Sequence, residues 1–270
     1  TPPLFLRAER LRQLQIAPRR EIQLHELAGH VKFQRPHLRQ LVFLQTAQLA
    51  QQRPHLGELG PRRYYQAYIQ EFIDDAVLGG YLVAYNHPCW SMEAEEAVLS
   101  YEGCYSVEVF NTGSQCINGY ESNMALYDKF LRRGKFLYLH GADDNHNHKP
   151  FGDLLCDSFG AWTQVLAKDL TYASVIEALE KGWFYASTGP TITNLTFAGG
   201  HVTLDCTPAQ RIIAHSSPKK TWNVYNPDGS PLTHAEFDLP EGTPYVYFSV
   251  LTADGKAAHT HAFRPEEFRK

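Results

Sequence analysis

Residues 81–91 read YLVAYNHPCWS and residues 136–148 read FLYLHGADDNHNH. In each, a short apolar run breaks off into side chains that can ligate a metal. The runs at 82–85 and 136–139 are predicted buried strands, being short, apolar or aromatic, and bounded by turn formers. His87 follows the first; His140, Asp143, Asp144, His146 and His148 follow the second. In an α/β fold the residues just past strand C-termini share one face, where active sites are built. Imidazole and carboxylate groups meeting there suit zinc, manganese or iron. Taken singly, NHP reads as a turn with a hydrogen-bonded histidine, and ADDNHNH as a solvated loop. Their joint position behind two apolar strands is what points to a metal site.

Outward from these stretches, helix and strand alternate. A helix over 64–78 carries Tyr68, Phe72, Ile73 and Val77 as an apolar stripe and ends at Gly79-Gly80. Residues 92–100 form a predicted helix with Ser91 as N-cap. YSVEVF at 105–110 is a strand that brings Glu108 to the same rim, and 118–133 is a helix closing on Arg132-Arg133-Gly134. A strand at 161–167, a helix at 171–181 and a strand at 183–187 complete the series. This alternation implies parallel strands in a sheet or barrel.

Past Gly189-Pro190 the pattern becomes short strands at 191–197, 202–206, 211–215, 221–225, 245–253 and 257–263. Gly199-Gly200, Asn226-Pro227-Asp228-Gly229 and Asp254-Gly255 separate them, and no helix is needed. The expectation is a small antiparallel β module, sandwich-like, starting near residue 190. His259-Thr260-His261 lies in its last strand and reads as surface.

Residues 1–63 differ from the rest. They carry 11 Lys+Arg against 4 Asp+Glu, whereas 64–270 carry 14 against 25. The segment has no Asp, Asn, Ser, Tyr, Cys, Trp or Met, so the usual turn formers are missing. It reads as a Gln/Arg-rich helical region, with fair helix propensity over 39–52, or as a non-native stretch from an out-of-frame reading. A basic arm for nucleic acid fits less well, since aromatic residues are not interleaved. His25-Glu26-Leu27-Ala28-Gly29-His30 imitates a zinc-protease helix, but its histidines are five apart where one helix face needs four.

The whole chain has 270 residues and a net charge of −4, which gives nucleic acid no electrostatic footprint. No apolar run approaches the roughly 20 residues that span a bilayer. No secretory signal is visible at the start. Five scattered cysteines without a CxxC favour a reducing, cytoplasmic compartment over a disulfide framework.

NHPCWS, YSVEVFNTGS, GADDNHNHKPFGD, CDSFGAW and EALEKGWFYASTGP resemble the PHP (polymerase and histidinol phosphatase) family. The resemblance is narrower to its stand-alone bacterial metal-dependent phosphoesterases. It covers 64–190, and LTHAEFDL and YVYFSVLTADGKAAHTHAF are similar to that subgroup's C-terminal extension. It implies an α/β fold, a distorted (β/α)7 TIM-like barrel, with 64–190 as its C-terminal half and 191–270 as the β module. It implies up to three divalent ions (Zn, Mn or Fe) at the strand C-termini, with His87, Asp144 and His146 as ligands. Asp143, His148, Ser187 and Thr188 would support the ligands or line the substrate pocket, as would Glu108 and Asn111 at the rim. The implied partner is a small phosphorylated substrate, whose ester is cleaved by metal-activated water; neither nucleic acid nor a membrane is implied.

One departure is large. The family's opening H-x-H and its following Asp-His element are absent from residues 1–63. Three ligands are fewer than a stable cluster needs, so the chain reads as a phosphoesterase that lacks part of its site. The alternative is a non-catalytic PHP-like protein that binds a partner or a sugar. Substrate and oligomeric state are not legible.

Overall fold

The computed structural model describes residues 41–45 and 66–270, with 121 and 148 excepted. His25, His30 and the candidate His148 thus lie outside the described residues, as does most of 1–63.

Three parallel strands carry the rim. They are β2 (Tyr81–Tyr85), β3 (Cys104–Asn111) and β4 (Tyr138–Ala142), in a sheet of order β1-β2-β3-β4. Strand β1 (Leu41–Gln45) pairs antiparallel with β2. Over these five residues a strand stands in place of the helical alternative. So short an apolar run has no decisive period, and the edge of β2 settles it.

Helix α1 (Gln66–Leu78) precedes β2 and buries Ile73 and Ala76. A short helix that was not expected, α2 (Pro88–Ser91), precedes the expected one, which runs as α3 (Glu95–Ser100) with Ala94 and not Ser91 at its N-cap. Met92, in the left-handed region at φ 50°, ends the first. Helix α4 (Thr112–Asn118), closed by Gly119 at φ 72°, was not expected, and the helix expected over 118–133 runs as α5 (Met124–Arg132). Their inner faces and the strands form one core around Val83, Val107, Val109, Leu139, Tyr127 and Phe130.

A second sheet holds β5 (Trp162–Val165), β6 (Phe184–Ser187), β9 (Arg211–Ser216), β10 (Lys220–Val224), β12 (Tyr247–Leu251) and β13 (Ala257–Thr260). Its order is β10-β9-β12-β13-β6-β5, antiparallel throughout. The parallel arrangement expected of β5 and β6 is therefore overturned, although helix α6 (Tyr172–Glu180) links them. Residue 190 falls just after β6, yet β13 pairs across it, with Ala258 opposite Ser187 and Thr260 opposite Tyr185.

A third sheet, ordered β11-β8-β7, consists of β7 (Ile192–Ala198), β8 (His201–Ala209) and β11 (Leu232–Asp238). It covers one face of the six-stranded sheet through Val202, Leu204, Phe237, Phe248 and Val250. Strand β11 and the terminal helix α7 (Pro265–Phe268) were not expected from the sequence; Phe268 is fully buried.

The other face of the six-stranded sheet meets the first core. Tyr247 packs edge-on against Tyr127 with ring centroids 5.8 Å apart, and His259 stacks on Phe110 at 5.2 Å. This corrects the surface reading of His259 and His261, which are 8% and 7% exposed. A strand of a sheet covered on both sides has no solvent face to offer. The Tyr127 hydroxyl donates to Leu137 O (3.1 Å) and accepts from Ala262 N (2.8 Å), joining α5 to the segment after β13.

Two outcomes are expected. Replacing Tyr127 with Phe strands the buried Ala262 amide and the part-buried Leu137 carbonyl and should lower stability by about 1–3 kcal/mol in urea unfolding. An unchanged midpoint would mean that water replaces the hydroxyl. Burial also holds His140, His215 and His261 down at about 4 and His259 at about 3. Their neutral forms belong to the fold, so stability is full above about 6.5 and falls as pH drops towards 4. Glu108, described below, works the other way by a single proton. Unfolding at pH 5.5 should show net proton uptake; net release would contradict these assignments.

Candidate metal centre at the strand C-termini

The C-terminal ends of β2, β3 and β4 carry His87, Glu108 with Asn111, and Asp143 with Asp144. Parallel register places them side by side. Glu108 is 1% exposed. Its Oε2 accepts from His87 N at 2.6 Å and from Asn111 Nδ2 at 2.8 Å. Asn111 Nδ2 also reaches Asp144 Oδ2 at 3.2 Å. One buried carboxyl and one amide thus tie the loops after β2 and β4. Burial pushes the Glu108 carboxyl up to about 8, against the lowering effect of those two donors, and the nearby Asp144 adds to the rise.

His87 caps α2 in the left-handed region at φ 35°, with Asp144 at φ 51° and Asn147 at φ 54°. His, Asp and Asn are residue types enriched in that conformation, and such backbones gather at functional sites. The His87 ring bonds Ser91 Oγ through Nδ1 at 3.0 Å and meets Trp90 edge-on at 5.2 Å. His146 is exposed, with Nδ1 2.6 Å from the Asp144 carbonyl oxygen. His140, opposite Glu108 in the sheet, is buried with its ring held between Ser106 Oγ (3.1 Å) and Asn86 Oδ1 (3.2 Å).

Asp143 binds its own chain. It accepts from Thr112 Oγ1 (2.8 Å), Phe159 N (2.5 Å), Gly160 N (2.8 Å) and Ala161 N (3.0 Å). The loop can close so tightly because residue 160 is glycine: a Cβ there would lie 2.4 Å from Thr112 Cγ2. Ser187 and Thr188 are also occupied. Ser187 Oγ donates to Pro190 O (2.7 Å), and Thr188 bonds Ala257 through N (2.8 Å) and Oγ1 (3.2 Å).

Asp157 escaped the sequence reading. It is fully buried; Oδ2 accepts from His146 N at 2.6 Å, while Oδ1 has no hydrogen-bond partner among the described residues. Its only sequence signal is its place in the CDSFGAW stretch.

The described residues do not make a complete metal site. Among them, no group of three or more His, Cys, Asp or Glu is placed to hold an ion. His87 and Asp144 are joined through Glu108 and Asn111, but His146 lies to solvent. Among the described residues, no helix is long and apolar enough to cross a membrane.

Asp143→Ala should cost about 2–4 kcal/mol by leaving four donors unanswered, and should expose 149–160 to proteolysis. Asp144→Ala should leave that loop protected. Equal protease sensitivity in the two variants would refute the distinction.

No family model and no curated protein matches the chain. A solved structure from Bacteroides vulgatus ATCC 8482 does, described as a two-domain protein containing a predicted PHP-like metal-dependent phosphoesterase. It aligns over 76% of this chain and 67% of that one, at 15% identity and a TM-score of 0.33, a likeness too slight to argue from.

Proposed function

We propose that the chain is a PHP-like metal-dependent phosphoesterase of the stand-alone bacterial type, acting on a small phosphorylated ester. The motifs at 86–91 and 141–153 support this reading together with one structural observation. His87 and Asp144, from the strands on either side of β3, both adopt left-handed backbones and are both tied to the buried Glu108–Asn111 pair of that strand. A rim held this firmly suits ligands that must keep a fixed separation. We place the remaining ligands outside the described residues and assign His87, Asp144 and His146 to the ions, which we take to be Zn, Mn or Fe. The barrel and its division from the β module at residue 190 belong to the same proposal. Asn111 is a positioning residue in it.

The absence of a three-ligand group among the described residues favours a second reading, a non-catalytic PHP-like protein that binds a partner or a sugar. Elemental analysis separates the two. The first expects about two ions per chain, lost in an Asp144→Ala/His146→Ala variant, with hydrolysis of a generic phosphomonoester lost as well. Asn111→Ala should weaken metal binding about 10- to 100-fold at unchanged folding. No ion above background in protein of verified mass would exclude the phosphoesterase reading for this chain.

A further inference from the structure

Cys116, on helix α4, and Cys156, in the loop after β4, lie far apart in the chain and close in space. The Cys116 thiol is 3.9 Å from the carbonyl oxygen of Leu155, in the peptide unit that leads into Cys156. Standard backbone dimensions then put the Cys156 Cα within about 7 Å of that sulfur. Charge at residue 156 is felt at Cys116: burial pushes the Cys116 thiol up, Asp157 adds to the rise, and Cys156 adds to it further. Both cysteines are half-buried and within reach of reagents in solution, whereas Cys104 and Cys206 are buried. The loop that carries Cys156 is lightly held. Phe151 and Leu154 are 72% and 92% exposed. The bonds from Asp153 N to Pro150 O (3.2 Å), Leu155 N to Asp153 Oδ1 (2.8 Å) and Cys156 N to Asp153 O (3.1 Å) are internal to it. Helix α4 is fastened to the sheet, with Gly113 N on Asp143 O at 2.9 Å and Ser114 N on Asn111 Oδ1 at 2.7 Å. A disulfide needs Cα atoms about 4.4–6.8 Å apart, which asks the loop to move towards α4 by about 3 Å at most.

We propose that Cys116 and Cys156 are a modification site, forming a reversible disulfide with a low-molecular-weight disulfide such as oxidised glutathione as the oxidant. The Cys156 thiolate attacks one sulfur of the reagent, which breaks its S–S bond; a mixed disulfide forms and one thiol leaves. The Cys116 thiolate then attacks the Cys156 sulfur, and the second thiol leaves. Two electrons pass from the cysteines to the reagent, and the two cysteine protons end on the released thiols. The order follows from the surroundings, since burial and Asp157 disfavour a thiolate at Cys116 and leave the first attack to Cys156. Once formed, the bond clamps loop 149–160 to α4. Cys156 precedes Asp157, whose Oδ2 accepts from His146 N at 2.6 Å, so the clamp also holds the backbone of His146. This inference does not rest on the phosphoesterase reading.

The test equilibrates the full chain with reduced and oxidised glutathione in varied ratio, alkylates the remaining thiols, and cleaves at acidic residues. That cleavage leaves Cys116 in peptide 109–121 and Cys156 in peptide 154–157, apart from every other cysteine. The expected product is these two peptides joined, and separated again by reductant. Chymotryptic cleavage of the native oxidised chain at Phe151, Leu154 and Leu155 should slow at least about tenfold, and should not slow in Cys116→Ser. Cys116→Ser should instead accumulate a glutathione adduct on Cys156, while Cys156→Ser leaves Cys116 free. Two thiols that stay alkylatable at every ratio would overturn the proposal. So would glutathione adducts in the unmodified sequence that never resolve, or a link from either cysteine to Cys89. A cross-link without slower cleavage would overturn the clamp, and an adduct on Cys116 in Cys156→Ser would overturn the order of attack.

Discussion

Strand β13 is hydrogen-bonded to β12 on one edge and to β6 on the other, so the six-stranded sheet runs from one half of the chain into the other. Everything beyond β6 is anchored by that pairing. Because the sheet is covered on one side by β7, β8 and β11 and on the other by α5 and β3, the side chains of its central strands β12, β13 and β6 are almost all buried. Phe248 and Val250 enter one core while Tyr247 enters the other. A fully buried large side chain contributes about 1.5–3 kcal/mol, and Phe248, Ile212, Tyr127 and Leu139 all qualify. The sheet is therefore a wall common to two cores, and its polar members must be satisfied within it. Ser249 does this for two histidines at once, through His215 Nε2 at 2.9 Å and His259 Nδ1 at 2.7 Å.

The rim obeys a second constraint of the same kind. Glu108 is a carboxyl with almost no solvent, and the loss of hydration outweighs the two hydrogen bonds that favour its ionised form. It is retained where an apolar residue would pack more cheaply, because only an acceptor can take the His87 amide. A single side chain thereby sets the exit angle of the loop after β2. Asn111 extends the same tie to the loop after β4 and, through its Oδ1, caps α4 at Ser114 N (2.7 Å). Backbone positioning at the rim is thus carried by side chains that never need to touch a substrate.

Asp143 and Asp144 show how neighbouring carboxylates can take opposite tasks. Asp143 is consumed by four donors of its own chain, while Asp144 is exposed beside the Asn111 amide. Strand β4 ends at Ala142 and Asp144 takes a left-handed backbone at φ 51°, so the chain turns between the two carboxylates.

Local sequence was enough to place β2, β3, β4, α6 and most strands of the β module, because their apolar period and flanking glycines act within a few residues. It also marked His87 and Asp144 as rim residues, since each follows a strand of unmistakable composition. It was not enough for β1, nor for the antiparallel partnership of β5 and β6, since pairing direction depends on which edge is free. The burial of His259 and His261 was invisible for a related reason: a histidine's letter is the same whether one face of its sheet is covered or both. The burial of Asp157 belongs to tertiary structure alone, because it depends on how the loop after β4 folds back on itself. What the sequence determined by itself were the elements and the chemistry available at their ends. Which ends meet, and which polar groups are left unanswered, was decided only when the sheets closed on their shared cores.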